Sequence, residues 1–333
     1  MNAMWGSVAQ YNEFYWPWPI ALYLFLAGLS AGAIMAALIV KWKYPNLEGH
    51  DAIVKAGAFI APVTISIGLL LLIVDLGKPL SFYWLLIKFN FTSVMTLGVL
   101  ALLLYTPLAF LFMAVMFEKE IDEYLPFLSF IPKLIHKLDK IKIFLEVVLL
   151  ILAVCVGIYT GFLLSVIHKI PLWNTPLLPI LFLISGFSSG IAADILSALI
   201  FKHEMHKEYI SYLLNLDIGV ILFEILILFA LFIGMFVGTP NSAAAARYAL
   251  THGDYALMFW GGVVGLGMIA PILLSLLKHH LRSNPFLFLQ SSREKSVDST
   301  TVVLVFLDTL FVIIGVIMLR YFIVYAGQGF LNM

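Results

Sequence analysis

Two copies of a five-residue pattern, Gly-x-Ser-x-Gly, are the first candidates for chemistry in this sequence. One is GLSAG at 28–32 and the other is GFSSG at 186–190. In serine hydrolases this pattern forms a sharp turn between a strand and a helix, and the turn exposes a nucleophilic serine. Both copies here lie inside long apolar segments that contain no histidine to act as a base. We therefore interpret the glycines as small residues that let two membrane helices pack closely.

Tyrosines and ionisable residues within the apolar segments form a second candidate set, because such groups are costly in a membrane and mark functional sites. One layer is predicted to lie on the outer side: Tyr23, Asp75, Tyr159, Arg320 and, just past the fourth segment, His168. This mixture suits a ligand that has polar carbonyl groups and a lipophilic tail. The alternative is an interfacial aromatic belt, which also suits Trp18, together with a snorkelling arginine.

A second layer of acidic residues is predicted on the inner side: Glu146, Asp194, Asp217, Glu224 and Asp308. Asp217 and Asp308 fall near helix starts, where a carboxylate interacts favourably with the helix dipole. Glu146 lies one turn from Lys142 and could pair with it. Asp194 and Glu224 lie deeper and have no such local explanation. We predict a proton path from the cytoplasm through Asp194, Glu224 and Asp308.

The composition requires a membrane around these residues. The chain of 333 residues is 62% hydrophobic and 11% charged, with a mean hydropathy of +1.05. Soluble domains carry about 25% charged residues. About eight apolar segments are long enough to cross a hydrocarbon core of ~30 Å as helices, and they lie near 17–41, 53–75, 91–117, 141–166, 176–201, 213–238, 255–278 and 302–325. We predict an all-α membrane protein.

Basic residues set the predicted orientation. Of the 19 Lys and Arg residues, fourteen lie in or beside the odd-numbered loops and five lie elsewhere. The positive-inside rule then places the odd loops in the cytoplasm and both termini on the periplasmic side. The single cysteine, Cys155, cannot hold an iron–sulfur cluster. All eight histidines lie in loops or at helix ends, which argues against haem in this chain.

The repeated pentapeptide also bears on domain organisation. Its copies start about eleven residues into the first segment and about ten into the fifth, and the flanking sequences YLFLAGLSAGAI and ILFLISGFSSGIA are similar. This similarity predicts a duplicated unit in one orientation, with functional sites near the interface of the repeats. We predict two parallel four-helix bundles, 1–166 and 167–333, within a single integral membrane domain.

Several stretches spread along the chain resemble one family. They are WPWPIALYLFLAGLSAG, DLGKPLSF, YTGFLL, FWGGVVGLGMIAP and LRYFIVYAGQ, in that order. In order and spacing they are similar to the NrfD-like polysulphide reductase membrane subunits. The resemblance implies a membrane anchor in the bacterial inner membrane that binds menaquinone or menaquinol and carries no redox metal. It also implies two periplasmic partners, a four-cluster iron–sulfur subunit and a molybdopterin catalytic subunit, and it allows a dimer of this heterotrimer.

The resemblance implies a quinone site near the outer ends of the early helices. Residue by residue, it points to Asp75 in DLGKP, Tyr159 in YTG and the tryptophan-rich entry around Trp18. Some relatives have Asn and His where this chain has Ile20 and Tyr23, and a tyrosine can still donate a hydrogen bond to a quinone oxygen.

The hypothesis that follows is menaquinol oxidation in a pocket on the outer side. Tyr23 and Tyr159 would bind the quinol oxygens and Asp75 would take protons, while His168 and Arg320 would complete the site. The alternative is a secondary transporter of a small solute, built on two parallel repeats. An intramembrane serine protease is a third idea, but Ser30 and Ser188 lack a base. No feature predicts nucleic-acid binding.

Overall fold

The computed structural model describes residues 16–45, 52–75, 80, 83–87, 90, 93–124, 139–200, 207–283 and 299–331, and these residues form helices and no strands. The helices are α1 (Trp18–Lys43), α2 (Ala52–Asp75), α3 (Trp84–Ile87), α4 (Val94–Met116), α5 (Glu118–Tyr124), α6 (Asp139–Ser165), α7 (Leu177–Ile200), α8 (Lys207–Val237), α9 (Pro240–Thr251), α10 (Gly253–Leu257), α11 (Ala270–Ser283) and α12 (Ser299–Leu331), with a π-helical segment, Met258–Ile269, between α10 and α11.

Eight of the described helical stretches are long and apolar enough to cross a membrane, so the prediction of about eight spans is confirmed. They are α1, α2, α4, α6, α7, α8, the continuous stretch Gly253–Leu277 and α12. The helix ends agree closely with the apolar segments of the sequence. The exceptions are α8, which begins earlier at Lys207, and α12, which continues to Leu331.

Helices α1 and α7 occupy the centre of the molecule. Buried residues make up 89% of the most apolar part of α1 and 67% of that of α7, whereas no other span exceeds 39%. Helix α1 packs against α2, α6, α7 and α12, and α7 packs against α6, α8 and α12 as well. These two helices therefore border many of the contacts between spans.

The two Gly-x-Ser-x-Gly motifs pack directly against each other where α1 crosses α7. A Cβ added to Gly186 would lie 3.0 Å from the carbonyl oxygen of Gly28. A Cβ on Gly32 would overlap the backbone of Gly186, and one on Gly190 would overlap the backbone of Gly32. The interpretation of these motifs as helix-packing elements is confirmed, because only glycine allows the two backbones to approach this closely.

The region after α8 contains a feature that the sequence did not predict. Residues 240–251, which lie between two apolar segments, form α9, whose first turn is capped by the Thr239 side chain accepting a hydrogen bond from the Ser242 amide at 3.2 Å. The π-helical segment that follows packs on α12, where Gly267 and Gly315 face each other so closely that a Cβ on either would clash.

The side on which α1 begins and α2 ends is called here the predicted outer side. The periplasmic location of that side and of both termini stays a prediction. The division into two four-helix bundles, 1–166 and 167–333, also stays a prediction. Helices α1 and α7, one from each half, contact each other as well as helices of their own halves.

Candidate functional site

Tyr23 and Tyr159 lie near each other in the half of the molecule toward the predicted outer side. Tyr23 is fully buried in α1, and Tyr159, in α6, is 9% exposed. Their phenol groups are close enough to interact electrostatically. The Tyr23 hydroxyl is buried and has no hydrogen-bond partner among the described residues, and Tyr159 has none among them either. Buried hydroxyls are nearly always hydrogen-bonded in native proteins.

Two glycines make room for these tyrosine rings. A Cβ on Gly68 of α2 would lie 3.2 Å from Cδ2 of Tyr23, and a Cβ on Gly98 of α4 would overlap the ring of Tyr159. Counted from the nearest helix ends at about 1.5 Å per residue, these four residues lie roughly 6–11 Å below the predicted outer side. The tyrosine pair, as Tyr23 and Tyr159 are called below, is thus enclosed by α1, α2, α4 and α6.

Three other predicted site residues lie nearer the rim. Asp75 is the last residue of α2, is partly buried and makes no hydrogen bond or ion pair with any described residue. From the sequence alone, Asp75 could instead pair locally with Lys78, and Lys78 lies outside the described residues. Trp18 begins α1 and is 53% exposed. His168 is exposed in the turn after α6, where Nδ1 is 3.0 Å from the side-chain oxygen of Asn174. Trp18 and His168 are thus exposed at the rim, whereas the tyrosine pair is buried.

Arg320 lies apart from that rim, in the core between α1, α7 and α12. It is fully buried, its Nη2 donates a hydrogen bond to the carbonyl oxygen of Phe182 at 2.9 Å, and its guanidinium lies 3.8 Å from the centre of the Phe182 ring. A Cβ on Gly28 would lie 3.3 Å from Nη2. Nε and Nη1 have no partner among the described residues. The backbone of the first Gly-x-Ser-x-Gly motif thus borders a buried cation.

Glu224 is an opposite charge that interacts with Arg320. It is buried near the middle of α8, within electrostatic range of the guanidinium. The sequence had assigned these two residues to separate layers. Their long side chains bring the charges together across that boundary, and a buried cation requires such compensation.

Asp194 belongs to a different cluster, between α1, α2, α4 and α7. It is fully buried, and neither carboxyl oxygen has a hydrogen-bond partner among the described residues. A Cβ on Gly57 would lie 2.9 Å from its Oδ2, and the phenol of Tyr105 is within electrostatic range. The Tyr105 hydroxyl is 2.8 Å from Oγ of Ser30, which donates to the carbonyl oxygen of Ala61 at 2.7 Å.

The remaining acids are also buried. The Ser188 hydroxyl donates to Oδ1 of Asp217 at 2.6 Å, so the serine of the second motif, like Ser30, is occupied in a structural hydrogen bond. Asp308 is buried in the inner half of α12. Two of the three residues of the predicted proton path thus interact electrostatically with another buried side chain: Glu224 with Arg320, and Asp194 with Tyr105.

The suggested pairing of Glu146 with Lys142 is corrected by the structure. Glu146 forms a salt bridge with Lys41 of α1 at 2.6 Å, and its other oxygen accepts a hydrogen bond from Nε1 of Trp42 at 2.9 Å. The pairing expected from the spacing of one helical turn does not form, because the packing of α6 against α1 brings two other donors, Lys41 and Trp42, to the same carboxylate.

Sequence reasoning missed Tyr105 and the two glycines beneath the tyrosine pair. Tyr105 lies in the apolar run LLLYTPLAF, and a tyrosine within such a segment was a signal that our sequence analysis did not use. Gly68 and Gly98 gave no signal in sequence, because each matters only through a ring contributed by another helix.

The tyrosine pair could bind a quinone head group through hydrogen bonds, without a metal. Among the described residues no three His, Cys, Asp or Glu side chains come together as a metal site. The hydroxyls of Tyr23 and Tyr159, which have no hydrogen-bond partner among the described residues, are donors that match the two oxygens of a quinone. The residues present therefore fit the group that the sequence resemblance implies.

Similarity to known proteins extends over nearly the whole sequence. A family model described as "Polysulphide reductase, NrfD" matches residues 6–332. The protein belongs to this family. It is 48% identical to a polysulfide reductase polypeptide of Wolinella succinogenes, with both sequences covered in full. It is 34% identical to protein NrfD of Escherichia coli over 97% of this sequence and 98% of that one.

A more distant relative widens the range of associated reactions. A selenate reductase polypeptide of Mesobacillus selenatarsenatis is 26% identical over 78% of this sequence and 66% of that one. The resemblance that the sequence motifs indicated is confirmed. Membership of the NrfD family and the eight apolar helices together identify a multi-pass protein of the bacterial inner membrane.

Proposed function

We propose that this NrfD-family protein is the quinol-binding membrane subunit of a respiratory molybdopterin oxidoreductase complex of the polysulphide reductase type. The names of its relatives support the reductase assignment, because one is part of a polysulfide reductase and another is part of a selenate reductase. The partners would be a four-cluster iron–sulfur subunit and a molybdopterin catalytic subunit on the periplasmic face. A dimer of this heterotrimer is part of the proposal.

One observation carries the proposal: a buried tyrosine hydroxyl that lacks a partner lies beside a second tyrosine without one among the described residues. Tyr23 and Tyr159 are held by close packing on Gly68 and Gly98, so their hydroxyls are fixed in position. An unsatisfied buried hydroxyl costs about 1–3 kcal/mol. A ligand oxygen that accepts its hydrogen bond would remove that cost.

Menaquinol, when bound, would supply two electrons to the iron–sulfur subunit and release two protons per turnover. In this proposal the Tyr23 and Tyr159 hydroxyls orient its two oxygens, and the carboxyl group of Asp75, at the outer end of α2, accepts a proton and releases it to the periplasmic side. Trp18 and His168 border the entrance from the exposed rim. Arg320 acts from the core as a fixed positive charge.

Proton movement through the bundle is a finer part of the proposal. The buried acids Asp194, Glu224 and Asp308 would carry protons between the cytoplasm and the tyrosine pair. Two routes are supported by the positions of these side chains. One runs through Asp194, which lies within electrostatic range of Tyr105, whose hydroxyl is hydrogen-bonded to Ser30, and the other runs through Glu224, within electrostatic range of Arg320. Buried acidic residues form proton relays in membrane pumps and transporters.

The tyrosine pair can be tested by replacing each tyrosine with phenylalanine in the purified complex. Tyr23→Phe and Tyr159→Phe remove one donor each, and we expect quinol oxidation to fall about tenfold or more for each. Tyr248→Phe is a matched control, because this tyrosine stacks on His252 outside the pair. Unchanged turnover in both variants, with the complex intact, would remove the pair from the proposal.

The proton routes need a separate measurement, in proteoliposomes that report the internal pH. We expect Asp194→Asn to reduce proton uptake from the cytoplasmic side while electron transfer continues in the presence of an uncoupler. Normal uptake in this variant and in Glu224→Gln would exclude the route through each. Uptake of a small solute without any redox partner would instead favour the secondary transporter.

A further inference from the structure

A groove between α4 and α6, at the end of these helices opposite the predicted outer side, is not used by the proposed function. It is lined by six apolar side chains, Leu108, Leu111, Phe112, Val115, Leu145 and Leu149, and by Lys142 and Glu146. The residues contributed by α4 recur at spacings of three or four, so one face of that helix forms one wall. Phe112, Val115 and Leu149 are buried in its floor, and Leu108 and Leu111 are only partly covered.

The charges at this groove do not cancel. Both oxygens of Glu146 are already engaged, one by Lys41 and the other by Trp42. Lys142 is partly exposed and makes no ion pair with any described residue. It lies close enough to Lys41 for their charges to repel. Among the described residues at this groove, two ammonium groups and one carboxylate leave one net positive charge beside the apolar lining.

We propose that this groove binds an anionic glycerophospholipid, whose phosphate contacts Lys142 and whose acyl tail lies along the leucines. An anion at Lys142 would relieve its repulsion with Lys41, and the apolar lining matches an acyl tail. Basic pockets between helices on the cytoplasmic side are the kind of site that holds anionic head groups. A zwitterionic lipid fits less well, because its own ammonium group would face the two lysines.

The exposed flank of α6 supports a lipid rather than a protein as the occupant. Ile143 and Phe144 are each 64% exposed beside the groove, so the groove opens onto a surface that an apolar solvent must cover. In a span this solvent is the bilayer, and the groove provides one charged anchor within it.

The experiment measures which lipid the purified complex retains. The delipidated complex is incubated with equal amounts of phosphatidylglycerol and phosphatidylethanolamine of identical acyl tails, and retained lipid is quantified by native mass spectrometry. We expect the wild type to prefer phosphatidylglycerol, and Lys142→Gln to lower this preference about five-fold. Equal retention of the two lipids by the wild type would overturn the proposal.

Two further variants separate this site from general attraction by basic residues. Lys43→Gln is the matched control: Lys43 is at the same end of the molecule, but its Nζ lies 3.2 Å from the centre of the Tyr212 ring, away from the groove. We expect this variant to keep the wild-type preference. Leu111→Trp places a large ring in the groove and should reduce retention of both lipids. A loss with Lys43→Gln equal to that with Lys142→Gln would contradict a defined site, and so would full retention with Leu111→Trp.

Discussion

The contact between Gly98 and Tyr159 gives the sharpest test of the tyrosine pair, because one methyl group can displace a ring without changing its chemistry. In Gly98→Ala the new Cβ would overlap the ring of Tyr159. Carbon atoms rest at about 3.5–4 Å from each other, so the ring would have to move by roughly 2 Å. The ring carries its hydroxyl with it, out of line with Tyr23.

A displacement of about 1 Å in an active site can lower a rate about 10²-fold. We therefore expect quinol oxidation by Gly98→Ala to fall by about this factor, with a loss of about 1–3 kcal/mol in the free energy of unfolding from overpacking. The assay is steady-state oxidation of a menaquinol analogue by the purified complex, normalised to the amount of assembled complex. Gly219→Ala is the control, because nothing lies within 4 Å of a Cβ at that position.

The double variant Gly98→Ala/Tyr159→Phe isolates the cause. If the alanine acts by moving the Tyr159 hydroxyl, it should add little to the effect of Tyr159→Phe, since that hydroxyl is already absent. Wild-type turnover in Gly98→Ala would refute the reasoning, because the position of the ring would then be irrelevant. A fully additive double variant would show that the alanine acts elsewhere.

Three predictions concern stability, measured as the free energy of unfolding of the purified protein. Gly190→Ala should lower it by about 3 kcal/mol, because the new Cβ meets the backbone of α1, which cannot move aside as a side chain can; a neutral effect would contradict the close crossing. Trp173→Phe should cost about 1 kcal/mol by removing the buried hydrogen bond from Nε1 to the carbonyl oxygen of Ile323, and Trp260→Phe should cost less, since its bond is exposed. Glu146→Gln should destabilise through the uncompensated Lys41, and adding Lys41→Met should restore part of the loss.

The sequence predicted the spans and the packing role of the two glycine motifs, but not that the motifs contact each other. The eight apolar segments correspond to eight described helices, because a segment that crosses a membrane must form its backbone hydrogen bonds internally. The repeated glycines of GLSAG and GFSSG indicated close packing, and they proved to pack against each other. Both signals are local in the chain, which explains why they could be read without a structure.

Contacts between distant helices could not be predicted in the same way. Glu146 has a lysine one turn away in its own helix, yet it pairs with Lys41, 105 positions earlier, because α1 packs beside α6. The placement of Gly98 under Tyr159 is another product of helix packing. Residue types and depths can be read from the sequence, whereas the partner of each buried polar group depends on how the helices are rotated against one another.

The ring contact between Trp16 and Trp173, together with the hydrogen bonds between the Trp16 backbone and the Gln328 side chain, ties the beginning of the described residues to the last helix. The start of α1 and the end of α12 are therefore neighbours on one side of the molecule. A peptide joining these two helix ends would span little distance, and new ends could be placed in the sequence between α5 and α6. We therefore expect the same fold to form when the helices are synthesised in a different order, as from a circularly permuted gene.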